Sequence, residues 1–122
     1  MIEMSLDKIW STIPNPLILI DEKDFIFAIN PAAESLFNVS NRNIKGSHFS
    51  SRLGRNNLLT ESLLAVRDSQ TNAYISNINI EIVGRSNIEC NLQLSILTDT
   101  TDFILVGLDV REIDDLNGKV FD

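Results

Sequence analysis

The chain has 122 residues, which fits one domain, and its 17 acidic and 10 basic side chains give a net charge of −7. That charge disfavours nucleic acid and anionic membrane surfaces as partners, and one cysteine excludes a disulfide framework and a cysteine-rich zinc site. No apolar run approaches the roughly 20 residues that span a bilayer, and residues 1–5 lack the pattern of a secretion signal. We therefore expect a cytoplasmic location.

The first predicted element is an amphipathic helix within residues 1–14. Its apolar side chains recur at helical spacing, and the prolines at positions 14 and 16 end it. Two interpretations remain open, because this stripe can pack on the sheet of its own domain or against the same helix of a second subunit. The candidate dimer face consists of Leu6, Ile9, Trp10 and Ile13.

A hairpin and a short helix follow. Residues 17–20 and 25–29 are short apolar runs rich in β-branched side chains, with a polar turn between them. Asn30 is predicted to be the N-cap of a helix that begins at Pro31 and ends near Phe37.

The middle of the chain has the opposite charge to both flanks. Residues 42–67 contain five basic side chains and one acidic side chain. Four of the basic residues precede a predicted helix of about ten residues, and they could bind an anionic ligand or an acidic partner surface. The alternative is a solvated loop whose charge is balanced elsewhere in the chain. These four residues are Arg42, Lys45, Arg52 and Arg55.

The last half of the chain predicts three strands. Alternation over residues 74–82 and 88–96 indicates two half-buried strands, with Tyr74 and Ser76 on the same face as Ile78. Residues 103–110 are apolar on both faces, which indicates a central strand. The predicted fold class is α+β, with a five-stranded antiparallel sheet and short helices on one face.

Few side chains suggest catalytic chemistry. His48 has no metal ligand at a suitable spacing, so a partly exposed loop histidine is the favoured interpretation. Cys90 falls on the apolar face of a predicted strand, where cysteine behaves as a small hydrophobe. The chain has neither a nucleophile elbow nor a phosphate-binding loop, and we predict no catalytic, metal-ligating or cofactor-binding residues in it.

The order of these elements resembles a PAS domain. The hairpin runs directly into Asn-Pro-Ala-Ala-Glu-Ser-Leu-Phe at residues 30–37, which is similar to the start of a PAS helix. Asn-Ile-Lys-Gly at residues 43–46 resembles a second short PAS motif. The resemblance covers roughly residues 6–112. It implies a PAS domain over 15–112, preceded by the helix of residues 1–14 and followed by a connector that begins within 113–122.

A narrower resemblance is to the sensor domain of nitrogen-regulation histidine kinases of the NtrB type, and it rests on residues 89–94, 104–106 and 111–116. It implies a regulatory, non-catalytic homodimer that relays a signal to a kinase core in the same polypeptide. It also implies an NtrC-type response regulator and the PII protein as partners of the intact kinase. Ile113 and Leu116 are expected at the start of a helix. The implied output connector consists of Arg111, Glu112, Ile113, Asp114, Asp115 and Leu116.

The resemblance also bears on cofactors. Flavin-binding PAS domains carry a reactive cysteine on a central helix, whereas residues 46–53 contain none. Haem-binding PAS domains present a histidine from the long helix before the last three strands, and residues 57–67 contain none. Flavin and haem are therefore disfavoured. Binding of a small metabolite in the PAS pocket stays open. The alternative function is therefore that of a metabolite-binding PAS sensor of another signalling protein.

Overall fold

The computed structural model describes residues 6–53, 56–84, 87–97 and 102–113. Five strands form one antiparallel sheet in the order β2-β1-β5-β4-β3, which confirms the predicted α+β class. Among the described residues, no helix is long and apolar enough to cross a membrane. In chain order, the elements are α1 (Leu6–Thr12), β1 (Leu17–Ile20), β2 (Ile26–Ile29), α2 (Pro31–Phe37), α3 (Asn41–Ile44), α4 (Ser50–Leu53), α5 (Asn57–Ser69), β3 (Ala73–Glu81), β4 (Asn87–Ile96) and β5 (Ile104–Ile113).

The local signals around α2 act as predicted. The Asn30 side chain accepts a hydrogen bond from the backbone N–H of Ala33, and Pro31 occupies the start of the helix. The helix ends where Asn38 adopts a left-handed backbone conformation, with φ of 56°. Because these signals act over a few residues, the bounds of α2 could be predicted from sequence.

One face of the sheet carries the core. Alternate residues of β1, β4 and β5 point to this face, where the buried apolar side chains of α2 to α5 pack against them. Helix α5 is 13 residues long, somewhat longer than predicted, and it buries Leu59, Leu63 and Val66. The face of the sheet opposite helices α2 to α5 is called the outer face below.

A β-bulge changes the predicted orientation of the first residues of β3. The pairing of β3 with β4 shifts between Ile75 and Ile78, and Asn77 adopts a φ of 55°. The extra residue reverses the alternation, so Ile75 packs against the core and Tyr74 is 63% exposed. The predicted placement of Tyr74 and Ser76 on the same face as Ile78 is therefore wrong.

Strand β5 occupies the centre of the sheet, between β1 and β4, as its apolar sequence predicted. It continues through Ile113, so residues 111–113 of the predicted connector belong to the sheet. The expectation that Ile113 begins a helix is wrong, because its backbone pairs with Ile88 of β4. Residues 114–116 of that connector lie outside the described residues.

Candidate interaction surfaces

A buried asparagine joins the N-terminal segment to the domain. Asn30 Oδ1 accepts hydrogen bonds from the backbone N–H groups of Leu17 and Ala33, at 2.9 and 3.0 Å. Its Nδ2 donates to the carbonyl oxygens of Ile13 and Asn15, at 3.2 and 3.0 Å. The side chain is completely buried, and these four bonds use its whole hydrogen-bonding capacity. Asn30 therefore fixes where the chain passes from α1 into the sheet.

The predicted dimer face on α1 divides into two parts. Trp10 is half-buried, and its indole N–H donates to the carbonyl oxygen of Ile29 at 3.4 Å. Ile9 is 41% exposed. Ile13 is half-buried at the end of the segment, and the side chain of Leu6 lies outside the described residues. Within the candidate dimer face, Trp10 is therefore held against its own domain, whereas Ile9 is exposed and available to a partner.

A groove of about 490 Å³ lies on the outer face, beside the segment that follows α1. Leu17 of β1, Gly107 of β5 and Gln93 of β4 are neighbours across its floor, because these residues pair in register. Sequence reasoning missed this groove, although a glycine inside an apolar strand is a signal of a close approach at that position. The other lining residues are Ile13, Asn15, Tyr74, Asn91, Leu108 and Asp109.

The predicted basic patch is only partly assembled. Arg42 and Lys45 are exposed, on α3 and directly after it, whereas Arg52 on α4 is half-buried. Arg55 lies outside the described residues. The Lys45 ammonium lies 5.2 Å from the centre of the Phe27 ring, in cation–π contact. Arg42 and Lys45 are therefore the described members that can meet an anionic partner.

Arg67 lies in the same basic stretch of sequence but has a structural role. Its Nη2 donates to the Asp24 carboxylate at 2.6 Å and to the carbonyl oxygen of Asp21 at 2.7 Å. Its Nη1 donates to the carbonyl oxygen of Asp102 at 2.5 Å. These bonds join α5 to the β1–β2 turn and to the residues before β5. Sequence reasoning missed this role, because the partners are 35 to 46 residues away.

Two side chains were considered as candidates for metal binding or catalysis, His48 and Cys90, and the surroundings of both indicate a structural role. His48 is half-buried, and its Nδ1 lies 2.9 Å from the Ser50 hydroxyl. Cys90 is fully buried, as predicted. Burial raises the pKa of the Cys90 thiol to about 11, with smaller contributions from the charges of Asp109 and Glu89. A thiol with so high a pKa is a poor nucleophile at neutral pH.

No model of a known family matches the sequence. The chain is, however, 32% identical over 111 residues to the sensory histidine kinase/phosphatase NtrB of Rhodobacter capsulatus. The match covers 91% of this chain but only 31% of that protein, so the chain spans about a third of its relative's length.

Solved structures agree with this similarity. The PAS domain of nitrogen regulation protein NR(II) from Vibrio parahaemolyticus superposes with a TM-score of 0.71 at 25% identity, over 90% of this chain and all of that one. A PAS domain of a two-component sensor histidine kinase also gives 0.71, at 9% identity, over 86% of this chain and 92% of that one. The chain is a PAS domain. Within that family, it resembles the sensor domain of NtrB-type nitrogen-regulation kinases.

Proposed function

We propose that this PAS domain is the regulatory and dimerisation domain of a cytoplasmic two-component histidine kinase that acts in nitrogen regulation. The similarity to NtrB over 91% of the chain is the observation that carries this proposal. In this proposal, the domain relays a signal to a C-terminal kinase core and performs no catalysis itself. An NtrC-type response regulator and the PII protein are the proposed partners of the intact kinase.

The proposed signal route runs from α1 to β5. The backbone N–H of Leu108 donates to the carbonyl oxygen of Pro16, and Asn15 Nδ2 donates to the carbonyl oxygen of Leu108. Residues just after α1 therefore bond directly to the strand that leads into the connector. A shift of α1 in the dimer would move β5 and bias the population of two states of the connected helices.

The sequence downstream of Asp122 provides the most direct test of the proposed function. A histidine-containing helix followed by ATP-binding motifs is the expected result. A stop codon directly after Asp122 would contradict the proposed relay to a kinase core.

In the intact polypeptide, we expect Ile9→Glu to change autophosphorylation, whereas Lys23→Glu in the exposed β1–β2 turn should leave it unaltered.

The proposed homodimer is tested by sedimentation equilibrium of the wild-type chain and of two α1 variants. A charge at the exposed Ile9 should weaken association directly. Trp10→Glu should also weaken it, by loosening α1 from the domain. If neither variant alters the association state, the proposed dimer face on α1 is wrong.

The competing proposal is a sensor that binds a small metabolite in its core. Among the described residues, the buried polar side chain is Asn30, and its hydrogen bonds all go to the backbone. This supports signalling through protein contacts. Native and denaturing mass spectrometry should therefore give the same subunit mass. A small mass that is lost on denaturation would favour the metabolite sensor.

A further inference from the structure

Phe27 is an exposed aromatic side chain whose orientation is set by a β-bulge. The pairing of β1 with β2 passes directly from Ala28 to Ile26, so Phe27 is the extra residue of the bulge. Bulges often redirect a side chain, and here the Phe27 ring is left 47% exposed on an edge strand. Its neighbour Ile26 is buried in the core, so this exposure is not a general property of β2.

Phe27 belongs to a continuous surface that combines apolar and basic side chains. Its ring packs edge-on against Phe103, with 5.2 Å between the ring centres, and the exposed Leu97 donates its backbone N–H to the Phe103 carbonyl oxygen. The Lys45 ammonium lies 5.2 Å from the centre of the Phe27 ring. Arg42 lies three residues before Lys45 on the same helical turn, which places both on one side of α3. This surface is called the Phe27 patch, and it consists of Phe27, Leu97, Phe103, Arg42 and Lys45.

The backbone edge of β2 beside Ile26 is already covered. The N–H of Ile26 donates to the carbonyl oxygen of Ser47 at 2.7 Å, and its carbonyl oxygen accepts from the N–H of Gly46 at 2.8 Å. A partner therefore cannot add a strand at this position, and it meets the side chains of the Phe27 patch instead.

We propose that the Phe27 patch binds a segment of a separate protein that carries a large apolar side chain and a carboxylate within one helical turn of each other. The apolar side chain packs against Phe27 and Leu97, and the carboxylate meets the complementary charge of Lys45 and Arg42. The two spacings of 5.2 Å match the roughly 5–6 Å between side chains three or four residues apart on a helix.

Two observations favour a separate protein as the occupant. Phe103 directly precedes β5, whereas the proposed connector continues from Ile113 at the other end of this ten-residue strand, roughly 30 Å away. The net charge of −7 disfavours an anionic membrane, since only Arg42 and Lys45 are exposed basic members of the patch. The inference does not depend on the proposed kinase function.

Photocrosslinking of the intact protein, in the cells that produce it, tests this inference. The photoreactive residue p-benzoylphenylalanine replaces Phe27 or, as the control, Tyr74, which is an exposed aromatic residue on the opposite edge strand. Position 27 should crosslink to a separate protein, with an aspartate or glutamate within four residues of the crosslinked residue by mass spectrometry. Position 74 should not crosslink to that segment. If replacement of Phe27 prevents folding, the exposed Leu97 provides the same test.

The role of charge is tested by two matched reversals. Arg42→Glu should lower the crosslinking yield about threefold or more, whereas Arg111→Glu, near the far end of β5, should leave it unchanged. A yield that Arg42→Glu does not lower would overturn the inference. So would a crosslink to phospholipid, to a second copy of the chain or to another domain of the same polypeptide. The absence of any crosslink from positions 27 and 97 would overturn it as well.

Discussion

The two faces of the sheet differ in what their side chains contact. On the inner face, Ile18, Leu92, Leu94 and Ile104 are completely buried, and all four belong to one continuous cluster with the helices. On the outer face, Gln93 is exposed and Asn91 is half-buried beside the groove. One layer of backbone therefore separates a buried core from a solvent-exposed surface. The inner face stabilises the fold, whereas the side chains of the outer face are in contact with solvent.

The largest expected effect is on the free energy of unfolding, and it is tested with two neighbouring residues that point to opposite faces of the sheet. Leu92→Ala should lower the free energy of unfolding by about 2–5 kcal/mol, because it leaves a cavity in the core. Gln93→Ala, one residue along the same strand, should change it by only about 0.5 kcal/mol. Urea denaturation of both variants measures the difference. Equal losses would show that the two faces are not energetically distinct.

Asn30 provides a second test, because it connects the inner face to the N-terminal segment. Asn30→Ala should cost about 2–4 kcal/mol, since it removes a helix cap and leaves backbone groups of Ile13, Asn15 and Leu17 unpaired. Ser40→Ala removes only the N-cap of α3 and should cost about 1 kcal/mol. Thermal and urea unfolding would compare the two losses. A smaller loss for Asn30→Ala than for Ser40→Ala would contradict this role.

The burial of Cys90 on the inner face can be tested by the pH dependence of the free energy of unfolding. Its pKa is raised from 9.0 to about 11 in the folded protein, so the unfolded chain loses this proton first as the pH rises. The stabilisation is fully present below about pH 9 and is lost towards pH 11. We expect a loss on the order of 2 kcal/mol over this range, measured by urea unfolding at stepped pH.

The control for this pH dependence is Cys90→Ala, which lacks the ionisable thiol. Other groups titrate in the same range, so the informative quantity is the difference between the two pH profiles. A wild-type profile parallel to that of Cys90→Ala would show that burial of the thiol makes no contribution to the pH dependence.

The smallest expected effect concerns the exposed basic residues. Replacing Arg42 and Lys45 with glutamine should change stability by at most about 0.5 kcal/mol. If they contact an acidic partner surface, the replacement should weaken association about two- to fivefold at low salt and less at high salt. Sedimentation or titration of the intact protein at two ionic strengths measures this, with Lys23→Gln as control. Unaltered association and signalling at low salt, after all four predicted basic residues are neutralised, would contradict the patch.

Much of the fold could be predicted because its signals are local. The Asn30–Pro31 pair defines the start of α2, and the alternation from Ile88 to Ile96 identifies which residues of β4 are buried. The orientation of Tyr74 could not be predicted, because it depends on a bulge formed against β4. The candidate surfaces were predicted less completely. Ile9 and Lys45 are exposed, as a contact surface requires. The groove around Gly107 was not predicted, because it combines residues of four strands with the segment after α1.

Local signals in the sequence specify the five strands, the helices α1, α2 and α5, the buried cysteine and the fold class, since capping, proline geometry and hydrophobic period act within a few residues. The bonds by which Arg67 joins α5 to two turns, and the bond from Trp10 to the carbonyl oxygen of Ile29, are evident only in the folded chain. It alone also showed that Gly107 forms the floor of a groove. These features join residues far apart in the chain, and their energies exist only once the sheet has brought those residues together.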